Sequence, residues 1–536
     1  MSTFMTKTTQ VCAAVGLAIA ALGASAQTAD TDTTRVVVSF KPGSKLAHDA
    51  RALMAKMGGQ VKVELAEQDA VAIVLPKRML AQLRKHGAVA SVDEDAKRYL
   101  ISAMPSSAAV ADGWAQAGAG GVEAPTPKRE NTPYGIKMVQ AGKVPASGNA
   151  PLKVCIIDSG LDREHPDMIG NEMTGEYDSV AGNWYDVDLS HGTHVAGTIA
   201  ALKNGAGVVG VNGANEVALH IVKVFTADGW TYSSTLSAAA NKCKAAGAKV
   251  INMSLGGPLN NPLEERTFNN LEKAGILSIA AAGNDGNTAK SYPASYASVM
   301  SVAAVDKNKA WASFSQYNNA VEIAGPGVAV LSDVARGDGR DAKLKQGTTK
   351  YAVTPLSGSA TTTAPVTAAL FDLGLGDATN TAAAGKHCLI QRGSVSFADK
   401  VKNCEDSGGL GAIIYNNVPG GFAGTLGGLA TTIPSVSVSD TDGAALMAVV
   451  GQNATMSMKP TDYELYDGTS MATPHVVGVA AKVWRHFPQC TGKQIRDALN
   501  QSALDIGDAG RDNKTGYGLV QARAAYDRLL AQGCGA

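Results

Sequence analysis

Three residues of the chain are of the types that together carry out nucleophilic acyl transfer. Asp158 ends the apolar run 154–157, His191 stands in the segment SHGTHVAG, and Ser470 stands in the segment GTSMATP. A serine hydroxyl is a weak nucleophile until a neighbouring imidazole takes its proton, and a carboxylate on the other ring nitrogen orients that imidazole. These residue types therefore predict acyl transfer with Ser470 as the nucleophile.

The surroundings of these residues suit that chemistry. Apolar runs and turns of small residues place them where parallel strands end, and open α/β sheets gather their ligands at that edge. Glycines beside each residue let substrate and backbone approach closely. Ser470 precedes a helical pattern, and the first N–H groups of a helix can face a developing oxyanion.

The three segments resemble the Asp, His and Ser motifs of the subtilisin-like serine peptidases, in the same chain order. The resemblance covers roughly residues 132–530 with one interruption. It implies that Asp158 orients the imidazole, that His191 is the general base and that Ser470 is the nucleophile of a serine endopeptidase. The segment AAAGN resembles the family segment whose asparagine, here Asn284, completes the oxyanion hole.

The same resemblance implies a substrate cleft formed by small and apolar residues. The segment MSLGG resembles the strand that lines the cleft, and in the family the residue before a Tyr-Pro pair lies at the base of the primary pocket. The implied substrate-binding residues are Ser254, Leu255, Gly256, Ala282, Gly283 and Ser291. None of them is a carboxylate, so we expect substrates with a large apolar side chain before the cleaved bond.

A zinc enzyme is an alternative interpretation, because His191 and His194 lie three residues apart and Asp186 and Asp188 lie close by. A zinc site needs three or four converging ligands, and the GTSMATP segment around Ser470 would have no role in such a site. Activity that resists chelators would exclude this alternative.

A non-catalytic binding protein on the same scaffold is a second alternative. Such a protein is expected to have lost one of the four implied catalytic residues, and all four are present. Labelling by a serine-directed sulfonyl fluoride distinguishes the two. Dinucleotide binding is excluded because no Gly-x-Gly-x-x-Gly pattern opens the first helix after a strand. His194 and His475 are predicted to be packed, structural histidines.

The hydrophobic pattern predicts the elements that position these residues. From residue 132 to about 370, amphipathic helical stretches alternate with short apolar runs that lack period-2 polarity, as strands covered on both faces do. The runs are Leu152–Ile157, Val217–Val224, Val250–Met253, Ile276–Ala282 and Val299–Val305. The pattern predicts an α/β fold, a doubly wound parallel sheet with helices on both faces.

Residues 371–460 interrupt this pattern and are predicted to form an inserted domain, which leaves 132–370 and 461–536 as the catalytic domain. A helix is expected at 397–407. The expected strands are 388–391, 411–415 and 435–438. The segments CLIQRG and GAIIYNN resemble a protease-associated (PA) domain, a small β-rich α/β module. Its role is open between a passive insertion and a lid or substrate-binding module.

Residues 34–100 follow the order β-α-β-β-α-β of a ferredoxin-like module, with the first helix expected at 46–57. Residues 101–131 are rich in small residues and proline, cannot bury a core, and are predicted to form a linker with a processing site. The module, residues 27–100, resembles the propeptide of the same family, which implies an intramolecular inhibitor. A permanent N-terminal domain is the alternative.

The first 26 residues have the pattern of a signal peptide. Lys7 precedes the apolar run 11–22, and Ala24-Ser25-Ala26 presents the small residues of a cleavage site. This pattern predicts a secreted protein whose mature chain begins after Ala26.

The six cysteines that follow the signal peptide are an even number, which suits disulfides in an exported protein. The sequence spacing favours two local pairs, Cys388 with Cys404 and Cys490 with Cys534. Cys155 and Cys243 remain as either a third disulfide or two buried free thiols.

Composition excludes several partners. The 536 residues contain 47 basic and 47 acidic side chains, so no net charge marks a nucleic-acid or anionic membrane surface. No later run reaches the ~20 apolar residues that span a bilayer. The chemistry requires no cofactor. Structural calcium is common in the family, but no loop has clear calcium-ligand spacing, and the metal ligands are unknown. The expected partners are protein or peptide substrates and the chain's own propeptide.

Overall fold

The computed structural model describes residues 32–42, 54–101, 104–105, 129–422, 424–426 and 428–535. The predicted signal peptide, most of the first predicted helix and most of the linker lie outside these residues. Of the described helices, none is long and apolar enough to cross a membrane.

The N-terminal module is a four-stranded antiparallel sheet in the order β2-β3-β1-β4. Its elements are β1 (Thr33–Phe40), β2 (Gln60–Leu65), β3 (Ala70–Pro76), α1 (Leu80–Arg84) and β4 (Val89–Glu94). Alternate residues of β1, such as Val36 and Val38, pack with Ile73 and Leu75 in a core of the module's own. This is the strand order of the predicted ferredoxin-like module.

Two short strands after the module pair outside its sheet. They are β5 (Lys97–Leu100) and β6 (Met104–Pro105), and both run antiparallel to strands of the larger unit that follows. Residues 97–100 and 104–105 therefore lie on the larger unit as extended strands.

The larger unit is built on a seven-stranded parallel sheet in the order β17-β16-β15-β13-β7-β11-β8. Its strands up to the insert are β7 (Leu152–Asp158), β8 (Met173–Gly175), β9 (Tyr177–Asp178), β10 (Gly182–Asn183), β11 (Val217–Lys223), β12 (Trp230–Tyr232), β13 (Val250–Met253), β14 (Leu255–Gly256), β15 (Leu277–Ala281), β16 (Val299–Val305), β17 (Val321–Pro326) and β18 (Val330–Asp333). Its helices there are α2 (Tyr134–Met138), α3 (His191–Ala200), α4 (Ser233–Ala245) and α5 (Pro262–Lys273). The apolar runs form strands buried on both faces, which confirms the predicted fold class.

The insert forms an eight-stranded sheet in the order β20-β19-β26-β22-β23-β24-β25-β21. Its elements are β19 (Gly339–Gln346), β20 (Thr349–Tyr351), β21 (Thr354–Pro355), β22 (Val366–Asp372), β23 (His387–Gln391), α6 (Phe397–Asp406), β24 (Gly411–Tyr415), β25 (Ser435–Val438), α7 (Asp440–Met447) and β26 (Asn453–Thr461). The strands and helix expected between 388 and 438 are present. The sheet begins at Gly339, before the expected boundary at 371, because the charged, half-exposed sequence GRDAKLKQ of β19 lacks the apolar run that marks the other strands.

The insert leaves and rejoins the larger unit at one place. β18 pairs with β27 (Tyr463–Asp467), from Val330 opposite Tyr466 to Asp333 opposite Tyr463. The chain then enters α8 (Thr469–Trp484), which is buried along its whole length and packs against α3 and the central sheet. The last helices are α9 (Gly492–Gln501) and α10 (Ala522–Gln532).

Three disulfides join Cys155 to Cys243, Cys388 to Cys404 and Cys490 to Cys534. The two pairs favoured by spacing are confirmed, and the remaining two cysteines form a disulfide rather than free thiols. This third bond ties β7, which ends in Asp158, to α4.

Candidate active site

Asp158 and His191 form a buried hydrogen-bonded pair. Asp158 is the last residue of β7 and His191 the first of α3, and the packing of α3 against β7 brings the two side chains together. Nδ1 of His191 lies 2.8 Å from Oδ1 of Asp158, which also accepts a hydrogen bond from the Ser159 amide at 2.8 Å. With Nδ1–H donating to the carboxylate, Nε2 carries the lone pair that can accept a proton.

Ser470 is the second residue of α8, and its hydroxyl points to the extended segment in front of the helix. Its Oγ donates to the carbonyl oxygen of Ile101 at 2.8 Å and lies 3.2 Å from that of Ser254. Nε2 of His191 is buried and has no hydrogen-bond partner among the described residues. The hydroxyl therefore faces a backbone carbonyl rather than the imidazole.

Pro474 explains how Ser470 is fixed to the neighbouring strand. Proline has no N–H, so the carbonyl of Ser470, four residues earlier, loses its helical hydrogen bond. Oγ of Ser254 donates to that carbonyl at 2.8 Å, and Nδ2 of Asn252 donates to Ser254 Oγ at 3.1 Å. The gap in the helical bonding thus anchors Ser470 against the residues that follow β13.

Asn284 lies beside the start of α8 with its amide held in one orientation. Its Oδ1 accepts hydrogen bonds from the backbone N–H of Thr469 at 2.9 Å and from the Thr469 hydroxyl at 2.8 Å. Its Nδ2 lies on the side of Gly468, where an added Cβ would come within 3.1 Å of it. Nδ2 of Asn284 and the first backbone N–H groups of α8 thus lie close together, where they can donate hydrogen bonds to a negatively charged oxygen.

The extended segment β5 occupies the cleft between β12 and β14. Leu100 pairs with Leu255, and Tyr99 pairs with Gly256 on one side and with Trp230 on the other. Ile101 follows and brings its carbonyl to Ser470. This segment is thus the middle strand of an antiparallel ladder, with one carbonyl at the Ser470 hydroxyl.

The remaining sequence-predicted site residues surround Ile101 or the start of α8. A side chain added to Gly256 would overlap Ser291 and press on the Ile101 side chain, so the three residues are in close contact. Ala282 and Gly283 follow β15, and the Gly283 amide donates to the Thr469 hydroxyl at 3.2 Å. Ala282 instead packs with Ala303, Val305 and Val321. The other nine residues predicted from the sequence lie on elements that meet around Ile101 and the start of α8.

The N-terminal module is docked through Asp95. This carboxylate accepts hydrogen bonds from Ser233 Oγ at 3.0 Å and from the amide and hydroxyl of Ser234 at 2.9 and 2.7 Å. Helix α4 begins at Ser233 and has no side-chain cap of its own, so Asp95 caps it. Arg35 also donates to Asp95, at 2.7 Å, and links this cap to the module's sheet.

The histidines other than His191 near the cleft are structural, as the sequence suggested. Nε2 of His194 lies 3.0 Å from the Val330 carbonyl, its ring stacks on Tyr466, and burial lowers its pKa to about 3. Burial likewise lowers the pKa of His475 to about 4. Asp188 is paired with Lys223 at 2.7 Å. These contacts give no support to a zinc site around His191.

His165, Asp167 and Asp333 are the one group among the described residues whose ligand atoms, all within 4.8 Å of one another, could hold a metal ion. Calcium prefers six to eight oxygen ligands, so one imidazole and two carboxylates do not fit it. Burial first, and then the charge of Asp167, raises the pKa of Asp333 well above its ordinary value. The raised pKa favours the protonated form of Asp333 beside Asp167.

Two buried charged residues of the cleft escaped the sequence interpretation. Arg98, in β5, is buried in the cleft and is paired with Glu264, which lies in the first turn of α5. The signal that could have revealed Glu264 is its place on the apolar face of that helix, in register with Phe268 and Leu271. A carboxylate on a buried helical face needs a partner.

Comparison with known protein families gives two matches. A model of the Subtilase family matches residues 150–373 and 443–518, and a model of the PA domain matches residues 357–446. The chain is 42% identical over 211 residues to Subtilisin DY of Bacillus licheniformis, which covers 38% of this chain and 75% of that protein. It is 32% identical over 325 residues to Subtilisin E of Bacillus subtilis, covering 58% and 77%.

Solved structures similar to this one include two subtilisin-related proteins. The psychrophilic subtilisin-like protease Apa1 from the Antarctic psychrotroph Pseudoalteromonas sp. AS-11 is 43% identical, with a TM-score of 0.57, and the match covers 76% of this chain and 100% of that one. Fervidolysin from Fervidobacterium pennivorans is 23% identical with a TM-score of 0.59, covering 92% and 61%, which shows a likeness of fold alone.

Proposed function

Since the chain belongs to the subtilase family and is one of its serine endopeptidases, with an inserted PA domain, we propose that Asp158, His191 and Ser470 form its catalytic triad and that Asn284 completes the oxyanion hole. One observation carries this assignment: the Ser470 hydroxyl lies 2.8 Å from the carbonyl oxygen of Ile101, which follows a strand held in the cleft, and α8, which carries Ser470, packs against α3, which begins at the Asp158-paired His191.

The proposed reaction begins when Oγ of Ser470 turns from the carbonyl oxygen toward Nε2 of His191. His191 takes the hydroxyl proton as Oγ bonds to the carbonyl carbon of the substrate residue in the place of Ile101. The carbonyl oxygen becomes an oxyanion that accepts hydrogen bonds from Nδ2 of Asn284 and the first N–H groups of α8.

The C–N bond then breaks, and His191 gives its proton to the leaving amine. The product is an acyl-enzyme on Ser470. Water, deprotonated by the same imidazole, attacks the acyl carbon and releases the carboxylic acid, while the proton returns to Ser470. Asp158 holds the imidazole in position and stabilises its charged form throughout.

Covalent labelling tests this assignment. The mature protein is expected to react with phenylmethylsulfonyl fluoride at Ser470 alone, because the proposed triad activates that hydroxyl. Mass spectrometry of the digested protein locates the adduct. The Ser278→Ala variant is the control: this buried β15 serine has no hydrogen-bond partner among the described residues and should not affect labelling. An adduct elsewhere, or none, would refute the assignment.

The domain organisation belongs to the same proposal. Residues 1–26 serve as the signal peptide, 27–100 as the inhibitory propeptide, and 101–131 as the linker that contains the processing site. The insert separates the two parts of the catalytic domain at β18 and β27. Export is supported by the three disulfides, which form in oxidising compartments.

Inhibition by the N-terminal module is supported by the path of the chain through the cleft. β5 lies on one side of Ser470, and β6 pairs with Tyr466 and Asp467 just before α8. The bond after Ile101 is therefore the one presented to Ser470. A large apolar residue before the cleaved bond fits the same pocket that holds Ile101.

Self-processing predicts the N-terminus of the mature protein. The wild type should begin at Ser102, whereas the Ser470→Ala variant should begin at Gln27 because it cannot cut itself. N-terminal sequencing of both secreted proteins measures this. Identical N-termini at Gln27 would contradict self-processing and favour a permanent N-terminal domain.

A further inference from the structure

Arg98 and Glu264 form a charge pair that is removed from solvent. Both side chains have no exposed surface. Nε of Arg98 donates to Oε1 of Glu264 at 2.9 Å and Nη2 donates to Oε2, so the contact is bidentate. The hydroxyl of Tyr296 donates to Oε2 at 2.8 Å and fixes the orientation of the carboxylate.

The position of Arg98 in the cleft is that of a substrate residue. Ile101 presents its carbonyl to Ser470, so Arg98 is the fourth residue before the bond to be cleaved. In β5 it is paired with Thr231 of β12, within the same antiparallel ladder that holds Tyr99 and Leu100. Any substrate bound in this register places its own fourth residue beside Glu264.

Release of the N-terminal module takes the guanidinium away and leaves the carboxylate behind. Burial raises the pKa of Glu264, and the charge of Arg98 opposes that rise. An ionised carboxylate on the buried face of α5, beside Tyr296, is costly without a partner. A substrate arginine restores the bidentate pair, whereas an apolar residue leaves Glu264 unpaired.

We propose that Glu264 makes this endopeptidase selective for polypeptides with an arginine at the fourth position before the cleaved bond. The inference rests on the proposed function, since it takes Ser470 as the nucleophile and Ile101 as the first residue before that bond. In the precursor, Arg98 then occupies the position that the substrate arginine takes in the mature enzyme. Arginine fits better than lysine because its planar group matches both carboxylate oxygens.

The test uses two fluorogenic peptides on the mature wild-type protein. One has the sequence of residues 97–101 with a fluorogenic amide on the isoleucine, and the other has norleucine in place of the arginine. We expect kcat/KM to be about 30-fold or more higher for the arginine peptide, as for the loss of one partner of a buried charge pair.

Two variants test whether the Glu264 carboxylate is the source of the preference for arginine. Glu264→Leu should remove the preference for arginine, while Glu265→Leu, at the exposed neighbouring position of α5, should keep it. If Glu264→Leu fails to mature, Arg98→Leu in the same chain removes the unpaired guanidinium from the precursor. The wild-type peptide comparison needs no variant.

The ratio of kcat/KM for the arginine peptide to that for the norleucine peptide should depend on pH. A purely structural role of Glu264 would leave this ratio unchanged with pH. The groups that face Glu264 are Arg98 or its substrate equivalent, Tyr296, and Asp95 in the precursor. Tyr296 remains neutral because burial raises its pKa. The preference for the arginine peptide should hold at neutral and alkaline pH and should decline on acidification, because Glu264 is then protonated. Since the pKa of Glu264 is raised, this decline should begin at a higher pH than that at which an exposed glutamate titrates.

The outcomes separate this inference from the proposed function. Equal kcat/KM for the two peptides would overturn the selectivity and leave the Ser470 chemistry standing. A preference that survives Glu264→Leu would overturn the assignment to Glu264. Hydrolysis of neither peptide by the wild type would overturn the proposed function itself.

Discussion

The Ser470→Ala variant is expected to hydrolyse peptides several powers of ten more slowly than the wild type, because the nucleophile is gone and only binding and oxyanion contacts remain. The fold should survive, since the change removes one buried oxygen and its two contacts to the carbonyls of Ile101 and Ser254. The measurement is kcat/KM with a fluorogenic peptide, together with a thermal unfolding curve for each protein.

Inhibition by the uncut module must be separated from loss of the nucleophile. Both proteins are therefore first treated by limited proteolysis within 102–128, and the module is then removed. Ser278→Ala provides a matched loss of a buried serine hydroxyl in β15, and it should keep wild-type turnover. Turnover by Ser470→Ala within about tenfold of the wild type would show that another group is the nucleophile.

The positions of the site residues could be predicted because strand ends and small-residue turns are local features. Asp158 follows a continuous apolar run, and such runs become strands buried on both faces. Ser470 stands at the start of a helical pattern that is confirmed as α8. Asp158 ends the parallel strand β7, whereas Ser470 follows β27, which pairs antiparallel with β18 outside the central sheet. The two residues meet because α8 packs against that sheet, so local patterns predicted the residues and tertiary packing joins them.

The first strands of the insert could not be predicted in the same way. β19 alternates charged and apolar residues and is stabilised by pairing with β26, more than a hundred residues later. Its partner supplies the hydrogen bonds, and the local sequence gives little indication of them. The expected boundary at 371 consequently falls inside β22, which belongs to the same sheet.

The pair of Arg98 and Glu264 escaped prediction for a related reason. Charged residues are expected at the surface, and an exception is stable only when a partner is buried with it. The partners are 166 positions apart and belong to different units of the fold. Local patterns predict which residues one helix or strand buries, whereas this pair depends on how the N-terminal module lies on the cleft.

The Asn284→Asp variant should lower kcat by about 10²–10³ while KM changes little, because the Nδ2 donor acts on a charge that exists only in the transition state. This substitution keeps an oxygen for the hydrogen bonds from the amide and hydroxyl of Thr469, which Oδ1 accepts in the wild type. It replaces only the donor, and the added negative charge opposes the oxyanion. Asn284→Ala removes both functions and is the comparison. Steady-state kinetics of the two variants measure this difference. If Asn284 served only to position Thr469, the aspartate variant would retain nearly full turnover and only the alanine variant would be impaired.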